Sequence, residues 1–578
     1  MSQPQMKRSR RDIFKFAGGA VAGVLFTPAP WRLITDAALW SENWPGIPRP
    51  ARGEIRAKFT NCSLCRAGCA VRARCVGEQP VFLAGVRGGL CPFGLTAHHL
   101  PYHPARLKQG QIEEATRAVA QRAAEGIAVL DLNPGRTASW TYRRAMASLK
   151  GIYLAPELPE EVYDLHAAKT VLSIGAPLLD GWGTPANVIA ARQNVRLIQA
   201  EAVESRTAVL ADEWIPLEPG TERVFAGQIL KSLQGARTSA LAGELLANGP
   251  SLVIGDAPEI GEINRLLGAW GKTVVASTEA PVPDPWKKSA AAITALADVP
   301  DHSIRVLLID ESAAASYIPW QQIEPKLSRE NPLVVTFAAT RGGYARHAQY
   351  ALPVGVYPEL TDDIAPAVDS VRPVFRISVP LVTPPAGLAN PADFVGALAG
   401  VPASNALRER ADAIQKTGRG SVLTYADGKE TPVKELTPDA FWKALNEGGE
   451  WKGDVVSRAP SPSRSAARPA EVAESAGDLP LIAIHEAHNP ALVSPLMTKL
   501  YQESNVRLAP NRVALHPDDA RAANLTNSAR AILQTRMGKC TVEVTVDAAV
   551  PAGAVLVGGS AGIQDVCAAG ARAKVVSA

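Results

Sequence analysis

Four cysteines stand close together near the N-terminus: Cys62, Cys65 and Cys69, then Cys91 followed by Pro92. Thiolates are soft ligands, and three within eight residues can wrap one face of an iron-sulfur cubane while a fourth from a returning loop closes the last corner. Electron transfer is the chemistry such a site supplies. The same residues could instead hold a structural zinc ion, although zinc sites are usually built from two separated Cys-x2-Cys knuckles, or they could stay unligated. Five of the seven cysteines fall between Cys62 and Cys91, where a disulfide framework would spread them. The fifth, Cys75, sits in a strand-like run and reads as a buried thiol; Cys540 alternates with apolar neighbours and reads the same way. Arg66, Arg72, Arg74 and Arg87 flank the cluster of thiols, either as charges that would raise the potential of an anionic cofactor or as a solvated surface. His98, His99 and His103 follow, as a second redox site or as local caps. His485-Glu486-Ala487-His488 is one residue short of the zinc-protease spacing and is given no metal role.

These ligands need a scaffold, and 578 residues suffice for several packed units. The small net charge of +4 offers no basic field for nucleic acid. From about residue 113 to 401, short β-branched runs alternate with helical stretches: 127–132, 170–174, 195–199, 252–254, 273–276, 305–309 and 333–337. The pattern predicts an α/β fold, with doubly wound parallel sheets covered by helices and ligands at the carboxyl ends of the strands. The character changes over 401–477, which ends in a Pro/Ser-rich run and is expected to be a linker or surface insertion. Strand and turn signals at 531–535, 537–539, 540–546 and 554–557 then predict a compact C-terminal β domain. The expected division is a signal at 1–30, a 4Fe-4S domain at 53–108, α/β domains at 109–245 and 246–400, the insertion at 401–477 and the β domain at 478–578.

Lys7, Arg8, Ser9, Arg10 and Arg11 precede a Gly/Ala-rich apolar stretch from Phe16 to Phe26 that is too short to span a bilayer. The order Ser-Arg-Arg-x-Ile-Phe-Lys resembles a twin-arginine signal, which carries folded, cofactor-loaded proteins out of the cytoplasm. A periplasmic location follows as an expectation, with membrane association through partners or a retained signal. Cleavage near Thr27-Pro28-Ala29 or Asp36-Ala37-Ala38 is poorly supported, and Trp31, Trp40 and Trp44 suit a membrane interface or a partner.

The chain resembles the molybdopterin oxidoreductase superfamily of dimethyl sulfoxide reductase and formate dehydrogenase. The resemblance lies in Cys62 to Cys69 with Gly88 to Gly94, in Val171 to Pro177, in Ser205 to Ala208 with Ala211 to Glu222, and in Leu515 to Ala520. It implies a 4Fe-4S cluster on Cys62, Cys65, Cys69 and Cys91, and a double-psi type barrel at the C-terminus. It also implies a molybdopterin guanine dinucleotide held by Gly175, Pro177, Arg206, Thr207, Gly220, Thr221 and Glu222. Several departures oppose a working molybdenum centre. No cysteine occurs between Cys91 and Cys540, Ser139 and Ser148 lie in no recognisable ligand loop, Gln199 to Ala202 replace the usual Asp-Pro-Arg, and Phe93 stands where a basic residue is common. The run Trp31 to Pro45, leading into Pro50 to Glu54, resembles instead the molybdopterin-like subunits of menaquinone reductase complexes and alternative complex III. That branch implies partners: a ferredoxin-like iron-sulfur subunit, a multihaem cytochrome c and a membrane quinone-binding subunit. Three functions compete: an electron-transfer subunit of a quinone-linked complex without catalytic molybdenum, an active molybdenum enzyme, and a zinc-stapled structural module.

Overall fold

A computed structural model of the protein describes residues 10–26, 33, 53–103, 105–158, 160–235, 239–313, 316–455, 479–485, 511–558, 560–568 and 570–578. A helix at Arg10–Phe26 exposes Ile13, Phe14 and Phe16. Among the described residues no helix is long and apolar enough to cross a membrane. The residues around the expected cleavage sites, the three tryptophans up to Trp44 and Glu486 to His488 lie outside the described residues.

The cysteine region is a three-stranded antiparallel sheet, Ile55–Asn61, Ala70–Val76 and Gln79–Gly85. Behind it stands a five-stranded parallel sheet in the order Tyr350–Pro353, Leu333–Ala338, Val306–Asp310, Ile127–Asp131, Ile152–Leu154. Its strands read as continuous apolar runs because both faces are buried: Ile127 and Val129 join one cluster with Tyr142 and Phe394, while Ala128 and Leu130 join another with Ile309 and Trp320. A second parallel sheet has the order Ser251–Gly255, Thr170–Ile174, Arg196–Glu201, Glu213–Pro216.

This order differs from the expected division at 245/246. Strand 251–255 completes the sheet begun at 170, and the chain then returns at 306 to pair with 127–131, so one α/β body is inserted within the other. Alternation marks where parallel strands fall but not which strand each crossover returns to. The run at 273–276 is not in either parallel sheet; Val274–Ala276 pairs antiparallel with Glu161–Tyr163.

Much of the stretch expected as a linker or insertion is a packed layer. Helices Ala406–Lys416 and Pro438–Asn446 cover an antiparallel sheet of Asp362–Asp363, Val374–Ser378, Glu450–Lys452, Ser421–Leu423 and Glu430–Pro432. Its core is Phe375, Ile377, Phe441, Leu445 and Trp451, apolar residues too scattered along the chain to read as one core. The Pro/Ser-rich run lies outside the described residues. The C-terminal unit is a closed six-stranded barrel around Val513, Leu515, Leu533, Val544 and Val555, as the strand and turn signals led one to expect.

Candidate functional site

Cys62 leaves the first strand of the small sheet and Cys69 enters the second, where the Cys62 amide donates to the Cys69 carbonyl at 2.8 Å. The strand ladder therefore closes the loop that carries three cysteines. Cys91 caps the short helix Pro92–Thr96, its Sγ accepting from the Gly94 amide at 3.4 Å. Distant elements fix this loop. Arg376 Nη1 donates to the Ala67 carbonyl at 3.1 Å, as does Thr184 Oγ1 at 3.2 Å, and Asn61 Nδ2 reaches the Ile377 carbonyl at 3.0 Å. Arg66 turns the other way, its Nε on Asn133 Oδ1 at 3.3 Å. Arg72 and Arg74 face solvent, Arg87 is exposed, and the buried cation beside Cys69 is Arg376, some 300 residues along and invisible to sequence spacing. Arg376 pairs in turn with Glu450 at 2.8 Å.

Burial, and next the other thiols, push Cys62 and Cys69 well above the ordinary thiol range; burial and Cys91 carry Cys65 to about 12, and burial also raises Cys91. Sulfurs so placed become thiolates when a bound group brings positive charge among them. One further atom bears on such a group. The hydroxyl of Tyr357, in a residue only 3% exposed, has no hydrogen-bond partner among the described residues and lies within electrostatic reach of Cys62 and Cys69. A buried donor left unpaired costs about 1–3 kcal/mol. Sulfur of a cluster held by these cysteines would supply an acceptor for it, so the residues fit one. Among the described residues, no group of three or more His, Cys, Asp or Glu side chains is placed to hold a single metal ion. Cys75 is fully buried in its strand, Cys567 is buried in the barrel and Cys540 half-buried there. Burial drops His103 to about 4, as a neutral ring.

In the central sheet the chain leaves 127–131 toward 152–154 and leaves 306–310 toward 333–338, and the crevice where these paths diverge is where doubly wound sheets bind ligands. Here Asp131 and Asp310 end the two strands in register. Arg136, only 2% exposed, fills the space between them: Nη2 donates to Asp310 at 2.8 Å and lies 3.7 Å from Asp131, Nε donates to the Asn133 carbonyl at 3.1 Å, and Nη1 binds Asp362. Ser139 Oγ donates to Asp131 at 2.5 Å and Tyr142 donates to Asp310 at 2.7 Å. Arg410 pairs with Asp363 at 2.9 Å beside them. Ser139 is thus occupied within this network, and Ser148 bonds the Ala399 carbonyl. The protein's own charges close the crevice.

At the second sheet, some of the residues expected to hold a dinucleotide lie near one another. Gly175 ends its strand at φ +69, and a Cβ there would come within 3.6 Å of Glu222 Cγ. Pro177 leads into the turn Leu178–Trp182, onto which two expected residues fold: Arg206 Nη1 binds Asp180 Oδ1 at 2.6 Å, and buried Thr207 accepts from the Leu179 amide at 3.4 Å. Burial raises the Glu222 carboxyl, with Glu201 adding to it. Gly220, at φ +75, meets Ile482 of the barrel, where a Cβ would lie 3.2 Å away, while Thr221 Oγ1 turns back to the Glu218 carbonyl at 2.7 Å. Asp180, which accepts from Arg206, and Glu201, which accepts from the Ser205 amide at 3.0 Å, carried no spacing signal of their own.

Residues 496–576 match the family described as the molydopterin dinucleotide binding domain. A curated relative, the menaquinone reductase molybdopterin-binding-like subunit of Nitratidesulfovibrio vulgaris, is 29% identical over 270 residues. The match takes in 38% of this chain and 39% of that protein's length. Among solved structures, acetylene hydratase from Pelobacter acetylenicus superposes with a TM-score of 0.62 at 12% identity, over 90% of this chain and 100% of its own. That likeness is one of fold. The resemblance to molybdopterin oxidoreductases and the α/β architecture with a C-terminal barrel are borne out together.

Proposed function

We propose that this chain, which has a molybdopterin dinucleotide binding domain and the fold of acetylene hydratase, is the electron-transfer subunit of a membrane-associated, quinone-linked respiratory complex. It holds one 4Fe-4S cluster on Cys62, Cys65, Cys69 and Cys91 and has no catalytic molybdenum. The observation that carries this reading is a contrast: four cysteines from two loops lie within electrostatic reach of one another, Cys62 and Cys69 buried and Cys65 and Cys91 partly so, while the crevice of the central sheet is taken by Arg136 and its carboxylates. A cluster bound there supplies one-electron uptake and release. The protein's own residues orient it through Arg376 and Thr184, exclude water with Leu83, Leu90 and Leu381, and offer the Tyr357 hydroxyl to its sulfur. The name of the menaquinone reductase relative supports the quinone-linked setting. Export to the periplasm by the twin-arginine route, and assembly with ferredoxin-like, multihaem cytochrome c and quinone-binding subunits, belong to the same proposal.

A second reading, an active molybdopterin enzyme, is supported by the approach of Gly175 to Glu222, by Thr207 at the turn after Pro177 and by the C-terminal family match. Metal analysis of anaerobically purified native protein separates the two. About four irons per chain with an iron-sulfur spectrum and no molybdenum supports the first reading. Stoichiometric molybdenum with pterin overturns it, and zinc alone points to the structural module.

A further inference from the structure

The cysteines are not enclosed equally on all sides. Leu64, Leu83, Leu90, Val356, Tyr357 and Leu381 pack around them as an apolar wall. On another side, a cavity of about 470 Å³ with charged side chains in its lining borders both cysteine loops, through Gly68 and Ala70 on either side of Cys69 and through Gly89 two residues before Cys91. The remaining walls come from the segments around Asp164, Thr184, Asp369 and Lys452 and from Glu430, so parts of the chain far apart in sequence meet there. A cavity of this size admits a small ligand or the tip of a partner's side-chain cluster.

Its charges are balanced in number but not in how they are used. Glu450 takes Arg376 and Lys452, Asp369 takes the Thr184 amide and Asn187 Nδ2, and Asp164 takes the His166 and Ala167 amides. Glu430 accepts from Ser421. Arg87 and Arg372, both exposed at the cavity, have no hydrogen bond or ion pair among the described residues. The unspent groups are therefore guanidiniums, which bind carboxylates through two parallel hydrogen bonds.

Resting on the cluster assignment above, we propose that this cavity is the port through which the cluster exchanges electrons, and that Arg87 and Arg372 seat a carboxylate cluster of an acidic redox-partner protein there. One electron passes between the reduced cluster and the partner's oxidised centre, with no bond made or broken. Two measurements test it on the full chain, in the wild type, the Arg87→Glu/Arg372→Glu double variant and the Arg87→Lys/Arg372→Lys control.

The seat itself is read without electron transfer, from methyl signals broadened by the redox-inert paramagnetic trianion hexacyanochromate(III). Broadening at Leu165, Val371 and Val374 that the double Glu variant loses and the Lys control keeps is expected; broadening elsewhere, or unchanged in the variant, overturns the seat. The port is read by stopped flow from oxidation of the chemically reduced cluster. At low salt the rate with the anionic, carboxylate-bearing ferric EDTA complex is expected to fall about tenfold in the double Glu variant, the rate with cationic cobalt(III) hexaammine to rise, and the difference to shrink in high salt. Anion seating with unchanged rates overturns the port. Absence of any iron-sulfur signal in the wild type overturns the cluster assignment and the port with it, and leaves the seat to be judged on the methyl signals.

Discussion

At the scale of single residues, the Tyr357 hydroxyl is the sharpest probe of the cysteine pocket. A hydrogen bond donated to cluster sulfur favours the more negative, reduced state, so Tyr357→Phe is expected to keep four irons and lower the one-electron potential. The drop should be roughly 40 mV, the equivalent of about 1 kcal/mol, in an EPR-monitored titration. An unchanged potential would show that the hydroxyl does not face the cluster. Glu450 gives a second prediction. Burial works against its charge, but Arg376, Lys452 and, more distantly, Arg87 bring its carboxyl down to about 2. A carboxyl depressed in the folded state stabilises the protein above its unfolded value near 4.5, and that contribution is lost as the pH falls through about 2. Glu450→Gln is expected to cost about 3–5 kcal/mol at pH 7, because Arg376 is left buried and unpaired, and to flatten the acid side of the stability curve in urea titrations. The gathering of the four cysteines was legible from spacing because three of them share one short loop. Tyr357, Arg376 and Glu450 were not, since each reaches the pocket from a distant strand or turn and has an ordinary neighbourhood in sequence.

At the scale of elements, the junction of the cysteine domain with the inserted α/β body depends on a missing side chain. A Cβ on Gly89 would lie 2.3 Å from the backbone nitrogen of Ala186, at the start of the helix Pro185–Ala191, where no side chain can swing aside. Gly89→Ala is expected to lower stability by about 1–3 kcal/mol and, because Cys91 follows two residues later, to reduce iron retained through gel filtration. Gly88→Ala, with open space around its Cβ, tests the backbone effect alone at φ +83. Strands such as Thr170–Ile174 and Leu333–Ala338 fell where β-branched runs placed them. The layer of 406–452 did not read as structure, because its strands are three residues long and one of them, Glu450–Lys452, completes the sheet by pairing with Val374–Ser378 far upstream, as Trp451 does with Phe375. Local pattern cannot report a pairing of that kind.

At the scale of the whole molecule, Asp565 fastens the barrel to the central body. Its carboxylate accepts from the Tyr317 hydroxyl and from the Trp320 amide and pairs with Arg346, while His347 stacks on Trp320 at 4.2 Å. Asp565→Ala is expected to leave both bodies folded but loosen their contact, giving a separate, earlier barrel transition in calorimetry where the wild type unfolds with greater coupling. A single unchanged transition would show that other contacts hold the barrel.

The same long-range stitching sets an order of events during synthesis. Strand 127–131 has no partner on one side until residue 310 has been made, and the cysteine loop, first held through Asn133 and Thr184, is not fully anchored until Arg376, Ile377 and Val379 arrive to bind Ala67, Asn61 and Thr60. The cysteine region is made early and becomes fully anchored only when these later segments have followed it. Loading of a cluster between Cys62 and Cys91 is therefore expected to follow the arrival of these segments, and a nascent chain stopped before residue 376 to bind iron only loosely.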